Sequence, residues 1–247
     1  FGFPPDRRVI NLILKDNYAN REIETEIEAP SRGGFARNEQ DFGYLKIANG
    51  GRFNLDFEVV DASLLTEDER SIVQTPGSVS QVPGDPNPAA FRSLRDDTFG
   101  FEGNLSWAKA YIDSGTSISA NVNYARNESR SLDGLNAVTL RSPANPVGIF
   151  RTFGEETPLE RRVSVDTLSA AGSVTRPVNA FRLTTTFDGS LTESETEIDR
   201  RFDTAALQAA AQAGTLALTG PLPDAAGAGF DVARARTLNG QSLTTLE

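Results

Sequence analysis

The chain of 247 residues contains neither cysteine nor histidine, which removes disulfides, thiol chemistry and the commonest general base and zinc ligand. Its formal charge of −10 argues against a nucleic-acid partner, because phosphate backbones are held by basic surfaces. The mean hydropathy is −0.34, and no apolar run approaches the roughly 18–20 residues of a spanning helix, so a helical membrane protein is excluded.

The first residues predict a buried strand. Residues 8–15 form a short apolar run between Pro4-Pro5 and Asp16-Asn17, which suits a strand bounded by turns. The chain begins at Phe1 without an initiator methionine or a signal-like region. Residues 242–247 have the pattern of the middle of a strand. We therefore expect an internal fragment of a longer polypeptide.

Residues 22–29 predict a second strand with one acidic face. Four glutamates alternate with residues of low polarity, so period two places all four carboxylates on one side: Glu22, Glu24, Glu26 and Glu28. After a connection over residues 30–38, residues 39–47 and 53–59 predict a hairpin. Its turn is Asn49-Gly50-Gly51, which supplies residues that tolerate positive φ.

Further alternating segments predict more strands, at residues 101–107, 117–124, 168–174, 181–191 and 237–247. At seven to eleven residues they exceed the ~5–6 residues usual for soluble strands and approach the ~9–11 that cross a bilayer. Aromatic residues near the strand ends predict a membrane-interface girdle, with ordinary aromatics of a soluble sheet as the alternative. They are Tyr18, Phe53, Phe99, Trp107, Tyr111, Tyr124 and Phe181.

Short and long connections alternate along the chain. Short turns are predicted at residues 48–51, 110–115 and 176–180, and irregular polar segments at 63–98, 130–161 and 200–236. Residues 203–213 predict a short helix inside the last segment, with Asp203 as N-cap and Gly214 as stop. Outer-membrane barrels place short turns in the periplasm and long loops outside. We predict an all-β fold, an antiparallel transmembrane β-barrel fragment of about 7–8 strands of a larger barrel.

The first residues also carry a family resemblance. Residues 9–15, Val-Ile-Asn-Leu-Ile-Leu-Lys, resemble the strand that ends the plug domain of TonB-dependent outer-membrane receptors, and residues 29–34 and 65–70 extend the likeness. The resemblance implies that residues 1–16 end a plug domain and that residues 17–247 form the N-terminal part of the barrel. It also implies a bacterial outer-membrane location, a lipid and lipopolysaccharide surround, and a TonB-type energy-coupling partner acting through a region upstream of this chain.

The function expected from this resemblance is energised uptake of a scarce small-molecule or oligomeric ligand, without enzymatic activity or a cofactor. The ligand-binding residues stay unknown, because no family binding residue matches a position here. A passive porin-like or structural outer-membrane barrel is the alternative. A secreted β-rich binding protein is a third reading, which would require a sheet buried on both sides.

Four groups of charged residues are candidate ligand-binding or catalytic sites. The glutamate stripe could attract a cation or form a solvated lumen wall; carboxylates two residues apart on one strand lie ~6.5–7 Å apart, too far for simple chelation. Residues 67–70 and Asp96-Asp97 could hold calcium, but lack the spacing of a calcium loop.

Arg161-Arg162 and Arg200-Arg201 could bind lipopolysaccharide phosphates or be solvated. A glycosidase pair drawn from Glu155-Glu156 and Glu193/Glu195 is rejected, because nothing fixes a cleft.

Overall fold

The computed structural model describes residues 17–225 and 227–246, and its regular structure is almost entirely antiparallel β-sheet. The strands are β1 (Tyr18–Glu28), β2 (Arg37–Ala48), β3 (Gly51–Ala62), β4 (Leu65–Thr66), β5 (Ser93–Arg95), β6 (Asp97–Tyr111), β7 (Thr116–Leu132), β8 (Asn136–Ser142), β9 (Asn145–Phe153), β10 (Glu160–Val178), β11 (Phe181–Asp199) and β12 (Phe230–Leu246). One helix, α1, spans Ala205–Gln212. The predicted end of a plug domain, residues 1–16, lies outside the described residues.

Eight strands form one main sheet. Its order is β1-β2-β3-β6-β7-β10-β11-β12, and every neighbouring pair is antiparallel. Neighbours in the sheet follow one another along the chain, apart from two small hairpins, β4–β5 and β8–β9, that lie within connections. This arrangement confirms the all-β prediction. No helix among residues 17–225 and 227–246 is both long and apolar enough to cross a membrane.

The three predicted short turns are present, and all lie at one end of the main sheet, here called the short-turn end. Asn49 (φ 52°) and Gly50 (φ 70°) join β2 to β3 as a tight turn with positive φ at both positions, which suits the twist of a hairpin. Residues 112–115 join β6 to β7 and end at Gly115 (φ 64°). Asn179 (φ 56°) and Ala180 join β10 to β11.

The structure corrects the predicted bounds of the long connections. The segment predicted as irregular over residues 130–161 contains the β8–β9 hairpin, and β7 and β10 extend into it as far as Leu132 and Glu160. β12 begins at Phe230, and not near residue 237. The arginine-rich start of β12 is a strand because Arg234 and Arg236 pair with glutamates on β11, so cross-strand charge pairs replace apolar contacts there. β2 likewise begins at Arg37 instead of Glu39.

The pleat gives the main sheet two chemically distinct faces. On one, the apolar face, Leu55, Leu105 and Val122 are directly opposed on β3, β6 and β7. On the other, the polar face, the next row holds Asn54, Ser106 and Asn121. The alternation predicted within single strands is therefore in phase across neighbouring strands. A slip of one residue would exchange the two faces.

The second and third long connections share a small core of their own at the opposite end of the sheet. We call the three long connections together the cap: residues 63–96 (first), 133–159 (second) and 200–229 (third), with residue 226 outside the described part. Val138, Leu140, Phe153, Leu207, Ala211 and Ala225 are buried together in it. The predicted helix is confirmed as α1, but its N-cap is Thr204 and not Asp203. Asp203 Oδ1 still accepts a hydrogen bond from the backbone N–H of Ala205, and Gly214 follows with φ 74°. Its residues Leu207 and Ala211 belong to this core.

Candidate functional site

The most extensive candidate site is an exposed apolar band on the apolar face. It consists of Ile23, Phe42, Phe53, Leu55, Phe57, Leu105, Trp107, Ile118, Ala120, Val122, Leu168, Ala170, Val174, Phe187, Leu191 and Leu238. Large side chains remain exposed, among them Leu168 at 45% and Phe187 at 50%. Contiguous apolar surface of this kind marks an interaction with lipid, a partner or another apolar surface.

The band has a limited height along the strands. On β7 the segment from Ile118 to Tyr124, whose ring borders the band, is about 20 Å long at the usual rise per residue. Lys46, Lys109 and Arg176 lie on the same face near the short-turn end. Arg21, on the edge strand β1, is an exception within the band: its guanidinium lies 5.7 Å from the ring centroid of Tyr44.

The aromatic residues predicted to form a girdle are mostly on this face. Phe53 and Trp107 are directly opposed near the short-turn end, and Tyr111 contacts the Lys109 ammonium at 5.1 Å from its ring centroid. Tyr18 is different. It is directly opposite Ile47, which is directly opposite Arg52. Arg52 lies on the same face of β3 as Asn54, so Tyr18 lies on the polar face. The prediction placed Tyr18 with the others because its strand, β1, has no aromatic alternation to fix its phase.

On the side of the cap, the apolar band ends at a belt of ion pairs. Arg162 contacts Glu160 and lies 2.9 Å from Glu197, while Arg130 contacts the same Glu160. Further along the belt, Arg234 pairs with Glu195 at 2.8 Å and Arg236 with Glu193 at 3.0 Å. These residues occupy the same face as the band, because their strands continue with unchanged register.

Tyr124 connects the apolar band to this belt. Its hydroxyl donates to Asp166 Oδ1 at 2.6 Å, and Arg126 lies 3.8 Å from the same carboxylate. The Tyr124 ring stands beside Phe101, with centroids 5.9 Å apart. A tyrosine with its ring among apolar side chains and its hydroxyl among charges is the arrangement found where apolar and wet surroundings meet.

The polar face holds the predicted glutamate stripe and more acidic residues than the sequence indicated. Glu24, Asp41, Glu58 and Glu102 are directly opposed across β1, β2, β3 and β6. They line a shallow hollow of about 330 Å³. Neighbouring strands lie ~4.8 Å apart, closer than alternate residues on one strand, so carboxylates approach each other across strands and not along β1. Sequence reasoning missed this row because it treated β1 alone.

Within the described residues, one group of three carboxylates approaches the spacing of a cation site. Glu39, Asp41 and Glu58 each offer an oxygen within 4.8 Å of the other two. Glu39 also pairs with Arg37 on the same strand, which offsets part of the negative charge. Directly opposed like charges destabilise a sheet, so counter-ions that screen these carboxylates should stabilise this surface.

The predicted calcium candidates are engaged in local contacts. Asp68 and Glu69 accept hydrogen bonds from the Thr66 hydroxyl at 2.5 and 3.2 Å, and Glu67 accepts one from the Gln74 side chain at 3.0 Å. Asp96 accepts from the Ser93 hydroxyl at 3.4 Å. The oxygens of Glu67, Asp68 and Glu69 stabilise the turn that follows β4, whereas Asp96 lies between β5 and β6. Asp97 is the first residue of β6 and is directly opposite Arg130.

The two arginine pairs lie at strand ends beside the cap. Arg162 belongs to the belt of ion pairs, whereas Arg161 is exposed on the opposite face of β10. Arg200 lies 3.5 Å from Asp231, and Arg201 is exposed. The structure therefore separates the members of each pair, and one member of each contacts a carboxylate.

The rejected glycosidase carboxylates lie in different surroundings. Glu155 and Glu156 line an open cleft of about 530 Å³ between the three connections of the cap. Glu193 and Glu195 belong to the belt on the main sheet, where each pairs with an arginine. The cleft lining includes neither of them.

At the base of that cleft lies Arg151, a residue that sequence reasoning did not single out. Its side chain is 4% exposed, and it donates to Asp85 through Nε at 2.9 Å and through a terminal nitrogen at 2.5 Å. The other terminal nitrogen donates to the carbonyl oxygens of Leu218, at 3.3 Å, and Gly220. Burial by itself raises the pKa of Asp85, but hydrogen bonds from Arg151 and Ser80 outweigh it and hold that pKa below its ordinary value. Arg151 belongs to the second connection, and its guanidinium thus contacts both the first and the third.

Comparisons of the chain with protein-family models, with curated proteins and with solved structures found no match.

Proposed function

We propose that this chain forms part of a TonB-dependent receptor of the bacterial outer membrane, a β-barrel that imports a scarce ligand. The observation that carries the proposal is the exposed apolar band. It lies on one face of a long antiparallel sheet, while the opposite face is polar. Spanning β-barrels have that division, with lipid on one side and a wet lumen on the other.

The lengths of the strands agree with a lipid setting. An outer-membrane barrel presents an apolar zone about 25 Å tall, which its strands cross at a tilt of ~35–45°. The segment of about 20 Å along β7 accounts for about 15 Å of that height at such a tilt. The strands β10 and β11, with 19 residues each, continue well beyond the band into the belt of ion pairs. In this proposal the belt lies at the height of the lipopolysaccharide headgroups, where arginines such as Arg162 meet phosphates.

The positions of the short and long connections set the orientation of the proposed barrel in the membrane. Turns of a few residues join the strands at one end, and the cap occupies the other. In the proposed orientation the short turns face the periplasm and the cap faces outward, on the ligand side. The edge strands β1 and β12 would pair with further strands of a larger barrel, because unpaired backbone groups are costly in lipid.

Substitutions at the height of the band test the membrane assignment. Arginine in place of Leu105 should lower the free energy of unfolding in lipid vesicles by ~2–4 kcal/mol, as a charge on the lipid face does near the midplane. Leu55 and Val122 share its row and should behave alike. Arginine at Asn121 or Asn54, on the polar face, is the matched control and should be tolerated. Equal losses on both faces would contradict the proposal.

The receptor assignment rests on the resemblance of residues 9–15 and is tested separately. The complete coding sequence of the protein should contain a plug domain upstream of this chain and further barrel strands after it. A barrel without a plug would favour the passive porin-like alternative. A short coding sequence without further strands would contradict both.

A further inference from the structure

We propose that the three connections of the cap open as one cooperative unit, with Arg151 as the residue that couples them. The inference concerns contacts inside the cap and holds whether or not the main sheet lies in a membrane. Its basis is that a single buried guanidinium contacts the first connection through Asp85 and the third through the carbonyl groups of Leu218 and Gly220. Arg151 itself belongs to the second connection.

The Arg151 and Asp85 side chains line the open cleft but are almost completely buried, and their hydrogen bonds are made within the protein. The Arg151 and Asp85 side chains are 4% and 8% exposed. Ser80 donates a hydrogen bond to Asp85 at 2.5 Å, and the Thr152 hydroxyl donates to the Pro86 carbonyl at 2.8 Å. A buried charge that loses its partner is strongly destabilised, so neither side of the ion pair can leave without the other being exposed or neutralised.

Other contacts join the same three connections in pairs. The backbone N–H of Gln81 donates to the Phe150 carbonyl at 2.9 Å. The backbone N–H of Phe150 donates in return to the Gln81 side chain, also at 2.9 Å. Buried Asn136 accepts from the backbone N–H of Phe202 at 2.7 Å, and Gln208 on α1 contacts the Thr139 carbonyl. The second connection therefore holds hydrogen bonds to both of the others, and displacing it breaks contacts to each.

Hydrogen exchange of the full-length protein tests this coupling. The variant Asp85→Asn removes the charge that Arg151 faces and keeps the size of the side chain. We expect the backbone N–H groups of Gln81, Phe150 and Phe202, one from each connection, to exchange at least tenfold faster and by similar factors. Protection within β6, β7 and β10 should stay unchanged.

The matched control is Glu195→Gln, which breaks an ion pair with Arg234 that is exposed on the main sheet. It should leave exchange in the cap unchanged. Faster exchange in the first connection alone, or in none, would overturn the proposal.

A milder variant keeps the test decisive if Asp85→Asn does not fold. Gln81→Ala removes one exposed side chain that accepts a hydrogen bond from Phe150. It should accelerate exchange at Phe202 in the third connection, which Gln81 does not contact by any described hydrogen bond. Acceleration confined to the first two connections would show that they open independently.

Discussion

At the residue scale, Gly172 shows how the apolar band is packed. It lies directly opposite Phe187 on β11, whose ring covers the space that a side chain would fill. A Cβ atom at Gly172 would lie 2.5 Å from Cζ of Phe187 and 3.0 Å from the carbonyl oxygen of Ser119. The aromatic ring and the glycine therefore act as a pair, as aromatic residues do over glycines in designed sheets.

We predict that Gly172→Ala lowers the free energy of unfolding by ~1–3 kcal/mol, because the Phe187 ring must leave its position or the backbone must shift. Chemical unfolding followed by circular dichroism measures the change. Gly240→Ala is the control: there the nearest atom to an added Cβ, the Asp188 carbonyl oxygen, is 3.7 Å away. Equal effects of the two substitutions would exclude the packing explanation.

The roles of some single residues could be predicted from the sequence, and those of others could not. The hairpin at Asn49-Gly50 was predictable because those residues tolerate positive φ, and the structure has both there. Arg151 was not, because its partner Asp85 is 66 positions away along the chain. No local pattern distinguishes an arginine that will be buried from one that will be solvated.

At the scale of elements, the ends of β7 and β10 depend on Glu160. Its side chain is 9% exposed and receives contacts from Arg130 and Arg162. The hydrogen bond from Arg130 is the largest influence and lowers the pKa of Glu160, although burial opposes it. A carboxyl group with a lowered pKa in the folded state stabilises the fold above its unfolded pKa, and the stabilisation is lost as the pH falls through the folded pKa.

We therefore predict that Glu160→Gln costs about 1–3 kcal/mol at pH 7, in the range of hydrogen bonds to charged groups. The difference from the wild type should shrink as the pH falls below the ordinary pKa of glutamate, ~4.3, because the stabilisation from a lowered folded-state pKa is lost progressively below it. Thermal unfolding of both proteins from pH 7 to pH 3 checks the prediction. A difference that stays constant over this range would assign the effect to packing and not to charge.

The elements themselves were largely predictable, and their ends were not. Alternation of apolar and polar residues identified the central parts of all eight strands of the main sheet, because one face of each is apolar. The strand ends carry charges on that face, so they resemble loops when read alone. The start of β12 is stabilised by Glu193 and Glu195 of β11, and such pairing becomes visible only once the register is known.

At the scale of the whole molecule, the one tryptophan of the chain reports on the surroundings of the apolar band. Trp107 lies on the apolar face opposite Phe53. If that face contacts lipid, as we propose, brominated acyl chains should quench its fluorescence, and soluble acrylamide should quench it only weakly.

The measurement uses the protein reconstituted in vesicles whose lipids carry bromine at defined depths. Bromine near the headgroups should quench more strongly than bromine at the midplane, because Trp107 lies towards the short-turn end of the band. The variant Trp107→Phe with Phe53→Trp moves the fluorophore to the opposed position and should give the same depth. Strong acrylamide quenching together with no lipid quenching would contradict a lipid-facing band.

The strand order has a consequence for assembly. Each strand of the main sheet pairs with the next one available along the chain, so no pairing must wait for a distant segment to thread between existing strands. The entropy lost on closing a loop grows with its length, so hairpins β2–β3, β6–β7 and β10–β11, closed by the short turns, lose less than the pairs joined through the cap. Three preformed hairpins, later joined by their long connections, are thus the entropically cheapest route to the sheet.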